Sequence, residues 1–171
     1  MAAGTISLDQ AKEEKLFYAV ANVVVLRRSD NRCLILKRSD REKVHPKKYC
    51  VPGGKLEWKD LPLESPTRKN GEVLDYEQAI ENLLYRETLE EAGIEIDTQR
   101  LHYLDSVAFI RPDGIPVLLI KFAAYYKSGE VILQKSDFTD YAWVNKKEVN
   151  RYDCILGIKE EVIETIQRLK K

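Results

Sequence analysis

The feature that most constrains this chain is a helix-like segment, 76–92, whose C-terminal end carries a run of acidic residues. Asp75 suits the N-cap position, and Gln78 falls where a capping box places a glutamate or glutamine. Gly93 suits the left-handed position that follows many helices. The segment therefore predicts a helix of about four turns that ends at Ala92.

Three carboxylates are predicted to lie close together on this helix. The i, i+3, i+4 spacing of its apolar stripe continues onto Glu87 and Glu91, with Glu90 beside them. Like charges at these spacings destabilise a helix by roughly 0.2–0.5 kcal/mol per pair, so a bound cation would offset the repulsion. Carboxylate oxygens suit a hard divalent ion, and we expect Mg²⁺, with Mn²⁺ as the second candidate. The alternative is an acidic helix end that faces water.

A glycine pair upstream of the helix, Gly53-Gly54, adds a second feature, because paired glycines let the backbone approach a ligand closely. The order and spacing of the two features resemble the signature of the Nudix hydrolases, G-x5-E-x7-R-E-U-x-E-E-x-G-U, where U is aliphatic. Gly54 fits the first glycine, while Thr88 stands at the first U position. The second half of the signature is matched at Arg86, Glu87, Glu90, Glu91, Gly93 and Ile94.

The first half of the signature departs from the pattern. Counting forward from Gly54 places its glutamate at Asp60, whereas counting back from Arg86 places it at Gln78. About eighteen residues are therefore inserted, and the first glutamate is missing. The stretch 60–71 contains prolines and an Asn-Gly pair, which predicts an exposed loop. The residues that could replace the missing glutamate are Glu57, Asp60 and Glu72.

The resemblance implies an α/β fold, a Nudix-type α/β/α sandwich with a mixed sheet. It also implies hydrolysis of a diphosphate linkage in a nucleotide sugar, a dinucleoside polyphosphate or a nucleoside triphosphate. In the metal site that the resemblance implies, Glu90 and Glu91 are the central ligands, and the carbonyl of Gly53 is a further ligand. Glu87 is a ligand or the general base, and Arg86 holds it in place.

Substrate-binding residues are expected on two further segments. Arg38 ends a predicted strand, and its guanidinium would fork onto phosphate oxygens near Gly54. An acid in the loop before Trp143 often joins the site in this family, which indicates Asp137 or Asp140 as a substrate-binding residue or the base. The alternative for Asp137 and Asp140 is that each is a loop acid that faces water.

The remaining sequence predicts a mixed sheet and a closing helix. The predicted strands are 16–26, 33–36, 94–96, 101–110, 115–126 and a short run ending at Val144, with a hairpin turn at 112–114 and a helix at 155–169. We expect a single domain over 1–171, with 1–15 as a flexible or edge segment.

Charge and cysteine usage exclude several classes of protein. The chain has 28 basic and 28 acidic residues, which argues against bulk binding of nucleic acid or membranes. The resemblance implies a nucleotide-like small molecule as the partner. Three widely spaced cysteines without a C-x-x-C pair are typical of reduced thiols in a cytoplasmic protein. No export signal or membrane span is evident in the sequence. Homodimerisation is left open.

Two other functions are compatible with the resemblance. One is a non-catalytic Nudix-fold module that binds or senses a nucleotide; it predicts damage to the acidic set, which is intact here. The other is a diphosphate isomerase that uses a cysteine, for which Cys50 is the candidate. Cys50 adjoins the glycine turn, so hydrolysis is the favoured interpretation.

Overall fold

The computed structural model describes residues 16–111 and 113–170. The predicted N-terminal segment 1–15, and Pro112 of the predicted turn, lie outside the described residues. The strands are β1 (Tyr18–Arg27), β2 (Arg32–Arg38), β3 (Tyr49–Cys50), β4 (Gly53–Lys55), β5 (Arg68–Asn70), β6 (Val73–Asp75), β7 (Glu95–Ile96), β8 (His102–Ile110), β9 (Pro116–Ser128) and β10 (Phe138–Val144). The helices are α1 (Ala79–Ala92) and α2 (Ile158–Leu169), with 3-10 turns at Trp58–Asp60, Thr98–Arg100 and Glu148–Arg151.

Eight of these strands form one mixed sheet. Its main path runs β10-β2-β1-β9-β7, and β3, β4 and β8 pair with β2, β1 and β9. β1 and β9 are parallel along their length, whereas β1 pairs antiparallel with β2 and with β4. Parallel neighbours require a long crossover connection, and α1 lies within the one that joins β1 to β9.

The sheet is the middle of three layers, because its central strand buries both faces. Val24 and Leu26 of β1 lie in the apolar cluster that includes α2, and Val23 and Val25 lie in the cluster that includes α1. This is the period of two expected of a strand covered on both sides. The fold class predicted from the sequence is therefore confirmed.

The predicted start of the acidic helix is wrong. α1 begins at Ala79, and Gln78 before it is left-handed with φ 59° and no side-chain cap. Asp75 is instead the last residue of β6, where its carboxylate accepts a hydrogen bond from Arg68. Because Asp75 pairs with Arg68 across the hairpin, it does not cap the helix. The predicted end is right, since Gly93 has φ 69° and its N–H donates to the carbonyl of Leu89.

The inserted stretch contains more regular structure than the predicted loop. A 3-10 turn ends at Asp60, and β5 and β6 then form an exposed hairpin that turns at Gly71. This hairpin is a two-stranded sheet of its own, separate from the eight-stranded sheet. The insertion therefore projects from the domain surface.

Within residues 16–111 and 113–170, no helix is long and apolar enough to cross a membrane. Cys33, Cys50 and Cys154 are free thiols, the first two buried and the third half-buried.

Candidate functional site

The acidic end of α1 packs directly against the two glycines of β4. A Cβ atom on Gly54 would overlap the carboxylate of Glu87. The N–H of Gly53 donates a hydrogen bond of 3.0 Å to Oε2 of Glu91, and a Cβ there would overlap the carbonyl oxygen of Ala21. Gly53 therefore leaves no room for a side chain against the backbone of β1, whereas a side chain at Gly54 would displace the carboxylate of Glu87.

Arg86 is the hub of the acidic cluster. Its guanidinium lies 2.8 Å from Oε1 of Glu87 and 2.8 Å from Oε2 of Glu90. It also donates two hydrogen bonds to the carboxylate of Asp60. Burial opposes the charge of Arg86, but the hydrogen bond to Asp60 and the charge of Glu87 raise its pKa above the ordinary value. The guanidinium of Arg86 therefore holds the carboxylates of Asp60, Glu87 and Glu90 close together.

Of the three candidates for the missing glutamate, Asp60 is the one bonded to Arg86. Its side chain is only 1% exposed, and it also accepts a hydrogen bond of 2.8 Å from the N–H of Glu57. Burial acts to raise the pKa of Asp60, but the bonds from Arg86 and from Glu57 lower it overall. The carboxylate of Glu57 pairs with Lys59 instead, and Glu72 lies exposed in the hairpin turn.

The carboxylates differ in their surroundings. Burial raises the pKa of Glu91 to about 8, helped by the nearby charge of Glu87 and opposed by the N–H of Gly53 and by Arg38. Burial likewise raises the pKa of Glu87, whose side chain is 13% exposed. The side chain of Glu90 is 48% exposed. A partly buried pair of acids next to a third, accessible one is short of positive charge and would gain from a cation.

The donor set fits a hard divalent ion in chemistry. In the part of the chain that the structure describes, no three His, Cys, Asp or Glu side chains are already arranged to hold an ion. The reason is local, because Arg86 engages Glu87 and Glu90, while Glu91 turns to the N–H of Gly53. All three carboxylates nevertheless lie on one end of α1, and oxygen ligands of this kind are the ones that Mg²⁺ prefers.

The structure brings one of the two predicted loop acids to this cluster. The charge of Asp137 acts on the pKa of Glu91, and its carbonyl accepts a hydrogen bond of 2.7 Å from the N–H of Ser39 at the end of β2. Asp140 lies in β10, where its carboxylate accepts a bond of 2.8 Å from the hydroxyl of Tyr49. Asp137 is therefore the better placed of the two.

Arg38 also lies near the cluster, as its effect on Glu91 shows. Its Nε donates a hydrogen bond of 3.0 Å to the carbonyl of Val44, and its guanidinium forms an ion pair with Glu42. Both partners belong to the loop that follows β2. The guanidinium would have to exchange these partners in order to bind a phosphate.

Trp58 and Lys59, between the glycines and Asp60, were not predicted from the sequence as site residues. Lys59 is close enough to Arg86 and Glu90 for their charges to act on its pKa, which the ion pair with Glu57 raises most. Trp58 is among the most exposed large apolar side chains of the described residues. A tryptophan next to a lysine inside the signature was the available signal.

The sequence matches the NUDIX domain family over residues 17–165. A MutT NUDIX hydrolase from Burkholderia pseudomallei shares the fold with a TM-score of 0.62 and 20% identity, over 85% of this chain and 95% of that chain. The NUDIX domain of Shewanella oneidensis NrtR complexed with ADP ribose gives a TM-score of 0.65 and 13% identity, over 90% and 89%. A C. elegans Ap4A hydrolase binary complex gives a TM-score of 0.58 and 15% identity, over 89% of this chain and 97% of that chain. No curated protein matches the sequence. At these identities the structural likenesses show the fold.

Proposed function

The chain belongs to the Nudix family of pyrophosphohydrolases, and on this premise we propose that it hydrolyses the diphosphate linkage of a nucleoside diphosphate derivative with a divalent metal ion. The observation that carries the proposal is the packing of the α1 acids on the glycines of β4. Glu87 lies against Gly54, and Glu91 accepts a hydrogen bond from Gly53. Backbone and carboxylates thus meet where a phosphate could approach both.

The residues that would hold the ion are Glu87, Glu90, Glu91 and the carbonyl of Gly53. Mg²⁺ is the first candidate and Mn²⁺ the second. When bound, such an ion polarises phosphoryl oxygens and lowers the pKa of water. The raised pKa of Glu91, caused mainly by burial, supports the assignment, because a nearby cation would stabilise the ionised carboxylate.

The chain's own residues would position the reacting groups. Arg86 holds Glu87 and Glu90, and Asp60 in turn fixes Arg86, so both are positioning residues. In the reaction, a water oxygen bonds to one phosphorus, the bridging P–O bond breaks, and the water proton passes to a carboxylate. Glu87 and Asp137 are the candidates for that base.

The substrate is one of three classes: a nucleotide sugar, a dinucleoside polyphosphate or a nucleoside triphosphate. Two proteins of the same fold fit the first two classes, the NUDIX domain complexed with ADP ribose and the Ap4A hydrolase. Arg38 and the backbone at Gly54 are the proposed contacts for the diphosphate. Arg38 lies near Glu91, and a guanidinium suits phosphate oxygens.

A nucleotide-binding module without catalysis is the second candidate. It is favoured by the ion pairs that engage Glu87 and Glu90 with Arg86. An isomerase is disfavoured, because Cys50 is only 7% exposed and adjoins the glycine turn.

The test is a panel of ADP-ribose, a dinucleoside tetraphosphate and nucleoside triphosphates, each with Mg²⁺. We expect release of a nucleoside monophosphate or phosphate from at least one compound, and its loss in Glu90→Gln. Glu81→Gln, at the far end of α1, is the matched control and should keep the activity. Binding without turnover across the panel would favour the second candidate.

We further propose that the protein acts in the cytoplasm on a small molecule, and on neither nucleic acid nor membranes. The balanced charge and the three free thiols support this. Its oligomeric state, including the homodimer left open by the sequence, can be measured by sedimentation.

A further inference from the structure

A pocket of about 780 Å³ opens beside the acidic cluster. Its volume falls within the roughly 300–1,000 Å³ of small-molecule sites. The lining residues share two chemistries, aromatic or aliphatic faces and charged tips. They are Phe17, Tyr18, Leu56, Trp58 and Leu61, with Lys55, Glu57 and Lys59.

Two lining residues of the pocket are chain neighbours of residues that contact the acidic cluster. Lys55 directly follows Gly54, which packs against Glu87. Lys59 directly precedes Asp60, which is bonded to Arg86. Trp58 lies four positions after Gly54, so their Cα atoms lie within about 14 Å of each other. A substrate with one end at the cluster can therefore place its other end in the pocket.

The aromatic lining is unusually exposed. Trp58 is 65% exposed and Phe17 53% exposed, whereas the core of the domain lies on the two faces of the sheet. Exposed aromatic side chains next to a polar centre are a mark of ligand binding. Planar bases stack on such rings, and the contact is tolerant of base identity.

The charges at the rim favour an anionic ligand. Lys55 and Lys59 outnumber Glu57 in the lining. Nζ of Lys55 lies 6.0 Å from the ring centre of Tyr18, and Nζ of Lys59 lies 3.0 Å from the carboxylate of Glu57. Lysine supplies a point charge that suits phosphate. The pocket therefore combines a surface for a ring with charges for a phosphate.

We propose that this pocket binds the nucleobase of the substrate, with Trp58 as the stacking surface and Lys55 and Lys59 beside the phosphate chain. The inference rests on the proposed function, because the base occupies the pocket while the diphosphate lies at Glu87 and Gly54. It adds a base-binding surface that the acidic signature does not contain.

Tryptophan fluorescence tests binding without any turnover. The chain has two tryptophans, and Trp143 is half-buried, with Arg27 4.2 Å from its ring centre. AMP added without metal should quench the emission in a saturable way, and ribose 5-phosphate, which lacks the base, should not. The quench should disappear in Trp58→Phe and remain in Trp143→Phe.

Steady-state kinetics on the active compound of the panel give the second readout. Trp58→Ala should raise KM about 5-fold to 150-fold, the effect of losing one base stack, and leave kcat within about threefold. Phe109→Ala, which removes an exposed aromatic ring on β8, is the matched control and should leave KM unchanged.

The outcomes separate this inference from the proposed function. Hydrolysis with an unchanged KM in Trp58→Ala overturns the pocket and leaves the function standing. A Trp58 quench by AMP without hydrolysis supports the pocket and overturns the function. Trp58 emission that shifts with protein concentration alone shows that a second copy covers the pocket, and this overturns the inference.

Discussion

The carboxylate of Asp60 accepts two hydrogen bonds from the guanidinium of Arg86, 26 positions further along the chain. The two residues are joined across the inserted stretch, which leaves the domain as the β5–β6 hairpin and returns to α1. Asp60 also lies at the forward count of the signature from Gly54. The ion pair of Asp60 with Arg86 therefore brings the two halves of the interrupted signature together.

Asp60→Asn should lower the free energy of unfolding by about 3 kcal/mol, the low end for a broken buried pair, since Arg86 keeps Glu87 and Glu90 as partners. Urea denaturation measures the change, and Asp60→Glu should recover most of it. Asp75→Asn is the control, because that residue pairs with Arg68 at an exposed site and should cost less than about 1 kcal/mol. Equal losses in both variants would contradict a structural role for the Asp60 pair.

Replacing 68–75 with a short Gly-Ser linker should leave activity intact and change stability by about 1 kcal/mol or less. The hairpin is almost wholly exposed and forms its own two-stranded sheet, with Arg68 and Asp75 bonded to each other. Thermal unfolding and kcat/KM check the two parts of the prediction. A folded variant with strongly reduced kcat/KM would show that the hairpin takes part in substrate binding.

The dependence of stability on pH should include a contribution from Glu161 of α2. Nζ of Lys121 lies 2.9 Å from Oε1 of Glu161, Nδ2 of Asn22 donates to Oε2, and Asp105 acts on it from β8. Burial raises the pKa of Glu161, while Lys121 opposes the shift. The folded state therefore binds this proton more tightly than the unfolded state. The free energy of unfolding should fall as pH rises from the ordinary value of 4.5 towards the raised pKa.

Urea titrations between about pH 4 and pH 7 test this slope. Glu161→Gln should flatten it, and the loss of a carboxylate partner for Lys121 should lower stability only where Glu161 is ionised, above its raised pKa. Glu164→Gln, at a more exposed position of the same helix, should keep the wild-type slope. Parallel slopes in all three proteins would rule out the contribution of Glu161.

The acidic cluster was predictable because it depends on local geometry. Helical periodicity alone brings Glu87, Glu90 and Glu91 to one end of α1, and the left-handed Gly93 marks where the helix stops. The family resemblance supplied the glycine pair as its partner, and the packing of Glu87 on Gly54 agrees with that expectation.

The features that could not be predicted from the sequence depend on contacts between distant segments of the chain. Asp60 could not be separated from Glu57 and Glu72 without the path of the insertion, and Asp75 was taken as a cap because its strand partner, Arg68, was not foreseen. Asp137 and Asp140 differ because Asp137 precedes β10 and bonds to Ser39, whereas Asp140 lies within β10 and bonds to Tyr49. A single domain over 1–171 stays a prediction, with 1–15 outside the described residues.

Alanine at the two glycines of β4 should separate chemistry from folding. In Gly54→Ala the new Cβ meets the flexible carboxylate of Glu87, so the protein should fold normally and lose activity about 100-fold, the effect of displacing a reacting group. In Gly53→Ala the Cβ meets the backbone of Ala21 and Asn22, so stability should fall by about 1–3 kcal/mol. Thermal unfolding and kcat on both variants check the contrast. Full activity in Gly54→Ala would show that the position of Glu87 against this glycine is irrelevant to the reaction.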